Sequence, residues 1–254
     1  MGELTGRTAL VTGAGRGIGR AVARGLARDG ALVAVHYHRN ETAARETLEL
    51  IAEDGGQAFG VRSELGVPGD AEALYARLED TLADRGAGPD LDILVNNAGV
   101  SGPGRVQDVT PKLFDRLFAV NTRSPFFLVQ RGLKNLRDGG RIINISSAVT
   151  RIAYPESVAY AMAKGALNTF TLALAKELGP RRITVNAVSP GFIETDMNAR
   201  KRTTPEATAQ LAALSAFNRL GHPADIADIV VFLASDRSRW ITGQCIDASG
   251  GSRL

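Results

Sequence analysis

The sequence predicts an α/β fold, a doubly wound parallel sheet of about seven strands with helices on both faces, in a single domain. Two patterns predict it. Short apolar runs recur along the chain and are continuous rather than alternating, which suits strands covered on both faces. Longer stretches with helical spacing separate them, so strand and helix alternate from start to finish. A third observation is local: a glycine-rich turn follows the first apolar run and opens the first helical one. No linker, low-complexity tract or internal repeat divides the 254 residues, a length that α/β folds often use for one domain.

The first strand, Thr8 to Val11, runs into Thr12-Gly13-Ala14-Gly15-Arg16-Gly17-Ile18-Gly19, and a helix is expected over 17–29. Glycines permit the tight turn and let the backbone approach a pyrophosphate, which then rests on free N–H groups at the helix N-terminus. Because the turn heads a strand-helix-strand unit, it points to a dinucleotide rather than to packing alone. The second strand, Leu32 to Val35, ends at His36-Tyr37-His38-Arg39. A site for NAD needs Asp or Glu here to take the ribose 2′-OH, and none comes before Glu41. Arg16, His38 and Arg39 instead make a cationic corner suited to a 2′-phosphate, so NADP(H) is the expected cofactor.

A helix over 40–54 leads to the third strand, Ala58 to Val61, and a helix over 69–84 leads to the fourth, Ile93 to Val95. Asn96-Asn97-Ala98-Gly99 follows at the carboxyl end of that strand, where open α/β sheets bind ligands. One helix is expected over 111–136. Inside it Pro125 lacks the N–H that would bond the carbonyl of Asn121, so a kink with a free carbonyl is expected there. The fifth strand, Ile142 to Ile145, ends at Ser146 and Ser147, both hydroxyl candidates for steering a substrate oxygen.

The next helix, over 157–178, carries Lys164 as its single charge between Val158 and Ala175. A helix apolar on more than one face needs a second burial surface, and a partner subunit is the expected one, in a homodimer or homotetramer. Tyr160 and Lys164 stand one turn apart and emerge from the same face. The cation is expected to favour the tyrosinate and pull the phenol below its usual pKa of about 10, where it exchanges protons more readily. The sixth strand, Ile183 to Val188, precedes Gly191 to Leu220, a long interval without strand character that reads as a lid at about 191–220. A last helix is expected over 223–234.

Composition excludes several function classes. Hydrophobic residues make up 44% and charged residues 22%, close to a globular average. The net charge of +3 is small and the arginines are scattered, so a nucleic-acid partner has little support. The single cysteine, Cys245, excludes an internal disulfide and a Cys-rich zinc site, and fits a reducing compartment. His36, His38 and His222 have no metal-ligand spacing, and no metal is expected. The first residues lack a signal-like apolar core, and no run is apolar enough to span a bilayer. The expectation is a cytoplasmic protein with no membrane partner.

Taken together, these residues resemble the classical short-chain dehydrogenase/reductase family along essentially the whole chain, most closely its 3-oxoacyl-[acyl-carrier-protein] reductase-like members. The resemblance is carried by the Thr12 to Gly19 turn, Asn96 to Gly99, Asn121, Ser147, the Tyr160/Lys164 pair, and Ser189-Pro190-Gly191-Phe192-Ile193-Glu194-Thr195. It implies a Rossmann-type fold and an NADPH-dependent ketone reduction, with Asn121, Ser147, Tyr160 and Lys164 catalytic. Tyr160 is then the general acid, Ser147 orients the carbonyl, Lys164 tunes Tyr160 and holds the nicotinamide ribose, and Asn121 holds a water that reaches the lysine.

The resemblance also implies a cofactor site. It comprises Thr12, Gly13, Gly15, Arg16, Gly17, Ile18, Gly19, Tyr37, His38, Arg39, Glu64, Leu65, Asn97, Ala98, Gly99, Tyr160, Lys164, Pro190, Gly191, Ile193 and Thr195. One departure is that Ser63-Glu64-Leu65 stands where the family has Asp against the adenine. The substrate is expected among Ser147, Val149, Arg151, Tyr154, Tyr160 and Phe192, with Arg151 offered to an anion. It is a β-ketoacyl thioester on a carrier protein or CoA, a polyketide-like ketone or a small cyclic one. Arg137 and Arg181 lie near regions that meet an acyl carrier in the family, and the Arg200-Lys201-Arg202 run reads as a solvated lid face rather than an anion contact. A catalytically silent NADP-binding regulator is the rival reading, opposed by the presence of all four catalytic residues.

Overall fold

The computed structural model describes residues 2–254. Seven strands form one parallel sheet: β1 (Thr8–Val11), β2 (Leu32–Tyr37), β3 (Gln57–Arg62), β4 (Leu91–Asn96), β5 (Leu136–Ile145), β6 (Thr184–Pro190) and β7 (Cys245–Ala248). Their order across the sheet is β3-β2-β1-β4-β5-β6-β7. Beside β1 the winding reverses direction, so the carboxyl ends of β1 and β4 open a crevice where this fold binds ligands.

Helices cover both faces: α1 (Gly17–Arg28), α2 (Glu41–Glu53), α3 (Asp70–Asp84), α4 (Pro111–Phe118), α5 (Ser124–Gly132), α6 (Val158–Leu178), α7 (Pro205–Ala212) and α8 (Pro223–Ala234). One apolar core joins α1 and α8 to Val11, Val33, Val35 and Val95. The other joins α3, α5 and α6 to Leu10, Leu94, Ile142 and Val185 on the opposite face. Neighbouring residues of one strand therefore feed different cores, which is why the strands read as unbroken apolar runs.

Three elements differ from the sequence expectation. The helix expected over 111–136 is two helices joined by a π-helical turn over Ala119–Arg123, and it ends at Gly132. Pro125 cannot continue the α-helical ladder, and the Ser124 N–H bonds the Ala119 carbonyl across a wider turn. The chain then enters β5 at Leu136 rather than Ile142; the extension pairs Leu136 with Leu91 before the register shifts. The seventh strand, β7, lies at Cys245–Ala248 in a stretch of alternating exposure that no apolar run marks.

The outer face of α6 leaves Met162 and Leu172 exposed, beside exposed Phe126 and Phe127 on α5. The protomer thus covers one side of this apolar helix and leaves the other open. Among the described residues, no helix is long and apolar enough to cross a membrane.

Candidate active site

The chemistry-bearing groups converge at the carboxyl ends of β4 and β5. Asn121 sits in the π-helical turn, fully buried, where its side chain accepts from the Val100 N–H at 3.1 Å and donates to the Val100 carbonyl at 2.9 Å. Lys164 is 3% exposed, and its Nζ donates to the Ile145 carbonyl at 2.6 Å. A Cβ added at Gly99 would lie 2.9 Å from Asn121 Oδ1 and 3.6 Å from Lys164 Nζ. Gly99 is therefore where backbone, amide and ammonium crowd together, and a side chain there would push them apart.

The phenol of Tyr160 differs from its expectation. Burial pushes its pKa above the usual tyrosine value, and only the Ser147 hydroxyl, hydrogen-bonded to it, pulls the other way. The ammonium of Lys164 is itself committed to the Ile145 carbonyl. Burial also lowers Lys164 itself to about 8. Ser147 is buried at the head of the loop after β5, while Ser146 hydroxyl faces the Lys164 carbonyl at 3.5 Å, so the geometry favours Ser147 of the two serines.

The glycine turn is tied to β4 from both sides. Thr12 Oγ1 accepts from the Asn97 and Ala98 N–H groups at 3.0 and 2.9 Å, and Asn97 Nδ2 donates to the Thr12 and Gly13 carbonyls at 2.8 and 3.1 Å. Gly13 has φ +65°, and a Cβ on Gly19 would fall 2.4 Å from the Gly13 carbonyl oxygen, so these two positions require glycine. A Cβ on Gly15 would meet only ordinary contacts with Ala44, and its requirement does not come from packing. Ile18 packs against the core while Gly17, at φ +55°, faces Thr195.

At the cationic corner, Arg16 reaches Asp196 at 3.1 Å and His38 lies 3.5 Å from Glu64, whereas Arg39 has no carboxylate partner among the described residues. Tyr37 ends β2 beside it. The loop after β3 buries Leu65, whose carbonyl accepts from Arg116 at 3.2 Å. Ser63 Oγ in the same loop is buried without a hydrogen-bond partner. That orphaned hydroxyl, with the glycine cradle and the open Arg39, fits an NADP molecule lying across the crevice.

On the β6 side, Pro190 ends the strand and Gly191 passes so close to Ser249 that a Cβ would sit 2.9 Å from its carbonyl. Ile193 is buried, and its carbonyl accepts from Asn198 at 3.0 Å. The Thr195 carbonyl accepts from Arg202 at 3.0 Å. Val149 opens the loop after Ser147, and further along that loop the ring of Tyr154 faces Phe192 edge-on, with centroids 6.3 Å apart.

A family model described as enoyl-(acyl carrier protein) reductase matches residues 13–253. The chain belongs to the classical short-chain dehydrogenase/reductase family. Versicolorin reductase of Emericella nidulans is 41% identical over 98% of this chain and 97% of that protein. Among solved structures, the angucycline C-6 ketoreductase LanV with bound NADP superposes with a TM-score of 0.95 at 55% identity, covering 98% of this chain and 96% of that one. The reductase LugOII, which catalyses keto-reduction at C1 during lugdunomycin biosynthesis, gives 0.96 at 56% identity over 99% and 100%. The chain is thus an oxidoreductase, a ketoreductase that works with NADP(H), and the silent-regulator reading falls.

Within this short-chain dehydrogenase/reductase, the expectation for Arg151 is corrected. Arg151 is not a free cation, since it pairs with Asp247 at 2.7 Å and donates to the Ser252 carbonyl at 2.7 Å, anchoring the C-terminal segment. Arg137 is bound by Asp90 and Asp92, and Arg181 by Asp138 at 2.8 Å. Both lie where β5 and β6 begin, at the opposite end of these strands from Ser147 and Tyr160.

Sequence reasoning missed two supports. His36, buried at the end of β2, accepts from the Gly13 N–H through Nδ1 at 3.1 Å, which leaves its Nε2–H to donate to the Ser63 carbonyl at 3.1 Å. Burial lowers it to about 4, so it stays neutral and keeps that tautomer at pH 7. Asp70 accepts from the Gly66 N–H at 2.8 Å and from the Ser124 hydroxyl at 2.5 Å, tying the loop after β3 to the π-helical turn. Neither carries a local motif; each becomes visible only when distant segments meet.

Proposed function

We propose that this reductase converts a ketone on a polycyclic aromatic, polyketide-like skeleton to a secondary alcohol, reversibly. The observation that carries the reading is the aromatic pair Tyr154 and Phe192, which stands between the loops leaving β5 and β6 on the catalytic side of the sheet. A planar substrate stacks against such a wall. The whole-chain likeness to LanV, whose structure has also been solved with NADP and rabelomycin, supports the same class. A β-ketoacyl group on a carrier protein is disfavoured, because Arg137 and Arg181 are engaged in ion pairs at the far end of the strands from the catalytic residues.

Bound NADPH supplies the hydride. The chain's own residues do the rest: Tyr160 gives its proton to the carbonyl oxygen, and Ser147 donates to the same oxygen and orients it. Lys164, still mostly protonated at pH 7, stabilises the tyrosinate that forms once its own N–H groups turn from Ile145. Asn121, held at the π-helical turn, presents its carbonyl to a water that returns a proton through Lys164.

The glycine turn and Asn97 to Gly99 hold the pyrophosphate side, Arg16, His38 and Arg39 the 2′-phosphate, and Ser63 to Leu65 the adenine. Pro190, Gly191, Ile193 and Thr195 border the nicotinamide. Residues 191–220, with α7, form the lid of a single 254-residue domain, and the exposed apolar faces of α5 and α6 pair in a homodimer or homotetramer. The setting is the cytoplasm.

The test is NADPH oxidation by the wild-type enzyme with three ketone classes: a polycyclic aromatic ketone, a small cyclic ketone and an acetoacetyl thioester. The aromatic ketone is expected to give the highest kcat/KM. A higher value for the thioester would overturn the assignment.

A further inference from the structure

The basic run Arg200-Lys201-Arg202 divides once it is folded. Arg202 donates to the Thr195 carbonyl within the lid, and Arg200 is exposed. Lys201 alone reaches the substrate side. Its Nζ lies 3.2 Å from the Tyr154 hydroxyl, 4.7 Å from the centre of the Tyr154 ring and 5.5 Å from that of Phe192. The ammonium therefore sits at the oxygen edge of one ring and within cation–π range of both.

Charge around it is unbalanced. Arg16 pairs with Asp196 and Arg151 with Asp247, so the other cations flanking the lid base are compensated. Lys201 has no carboxylate within ion-pair distance among the described residues. An ammonium has three N–H donors, and the Tyr154 hydroxyl takes one. No other protein acceptor among the described residues bonds the ammonium, which lies at the edge of an aromatic wall suited to a planar ring.

Resting on the polycyclic-ketone reading above, we propose that Lys201 is a specificity-determining residue that selects aromatic ketones carrying an acidic ring hydroxyl. Tyr154 and Phe192 take the ring face and Lys201 takes the phenolic or phenolate oxygen at its edge. A hydrogen bond from a charged donor is stronger than a neutral one and is lost when the oxygen is methylated and crowded. Lys201 acts on binding rather than on hydride or proton transfer, so its effect falls on KM.

The experiment uses the full chain with NADPH and two ketones that differ only in a phenol or its O-methyl ether. Lys201→Met is expected to raise KM for the phenol about tenfold, with kcat changed less than about twofold and the ether almost unaffected. Lys201→Arg should keep the preference for the phenol, and circular dichroism should show both variants folded. Equal changes for phenol and ether, or no change for either, would overturn the role of Lys201. If the wild type reduces neither aromatic ketone yet turns over a small cyclic one, the polycyclic reading itself fails and this role fails with it.

Discussion

The cofactor and catalytic half of the crevice differs from its substrate half in how each is held. Asn121, Lys164, Thr12 and His36 are buried, and their polar groups bond to backbone at set distances, so a displaced atom leaves a buried group unsatisfied. Tyr154, Phe192 and Lys201 are part-exposed or exposed and touch one another mainly through ring faces and one hydroxyl. Such contacts reshape at little cost. On the proposed reading, the fixed half serves a chemistry shared by many ketones, and the adaptable half is where a particular ketone is chosen.

Substitutions break this contrast to different degrees. The largest effect is expected for Lys164→Met, with a fall in kcat/KM of about a hundredfold or more through loss of proton transfer. The same variant sheds a buried charge together with the hydrogen bond to the Ile145 carbonyl. Burial holds Lys164 at about 8 in the folded chain against its ordinary 10.5, so the ammonium opposes folding fully below pH 8. That opposition fades as pH rises from about 8 to 10.5, where the unfolded lysine also loses its proton. Denaturant unfolding should show the stability of the variant relative to wild type falling by roughly 2–3 kcal/mol as pH rises from 7 to about 10.5. A stability difference between variant and wild type that stays constant from pH 7 to about 10.5 would contradict this account.

Next comes Gly19→Val, whose side chain would meet the Gly13 carbonyl. Overpacking of this kind costs about 1–3 kcal/mol, and calorimetry should find NADPH binding largely lost while the sheet remains folded. His36→Leu removes the bond to Gly13 and the bond to Ser63 together. We expect the KM for NADPH to rise about tenfold with kcat nearly unchanged, the mark of lost binding rather than lost chemistry. The smallest effect belongs to exposed Arg39. Replacing it with Ala should reduce the preference for NADPH over NADH by about tenfold or less, measured as the ratio of kcat/KM values.

Legibility in the sequence followed the same divide. Alternating strands and helices, the glycine turn and the Tyr160/Lys164 spacing are local patterns, and the elements they indicate are present except that the helix expected over 111–136 is divided. The π-helical turn was half legible, because Pro125 marks a break at Asn121 but not its form. β7 was not, since a short edge strand with alternating exposure leaves no apolar run. Arg151 looked available only because Asp247 and Ser252 come from the far end of the chain. The pKa of Tyr160 departs from its expectation for a related reason: spacing places Lys164 on the same face but does not show how far the phenol is buried.

The central claim is that Tyr160 supplies the proton while binding is set elsewhere. Its most direct measurement is NADPH oxidation with a polycyclic aromatic ketone by Tyr160→Phe, alongside the NADPH dissociation constant of the same variant. The account predicts a kcat at least about a hundredfold lower, with cofactor affinity within a few-fold of wild type. A kcat equal to that of the wild type would contradict it.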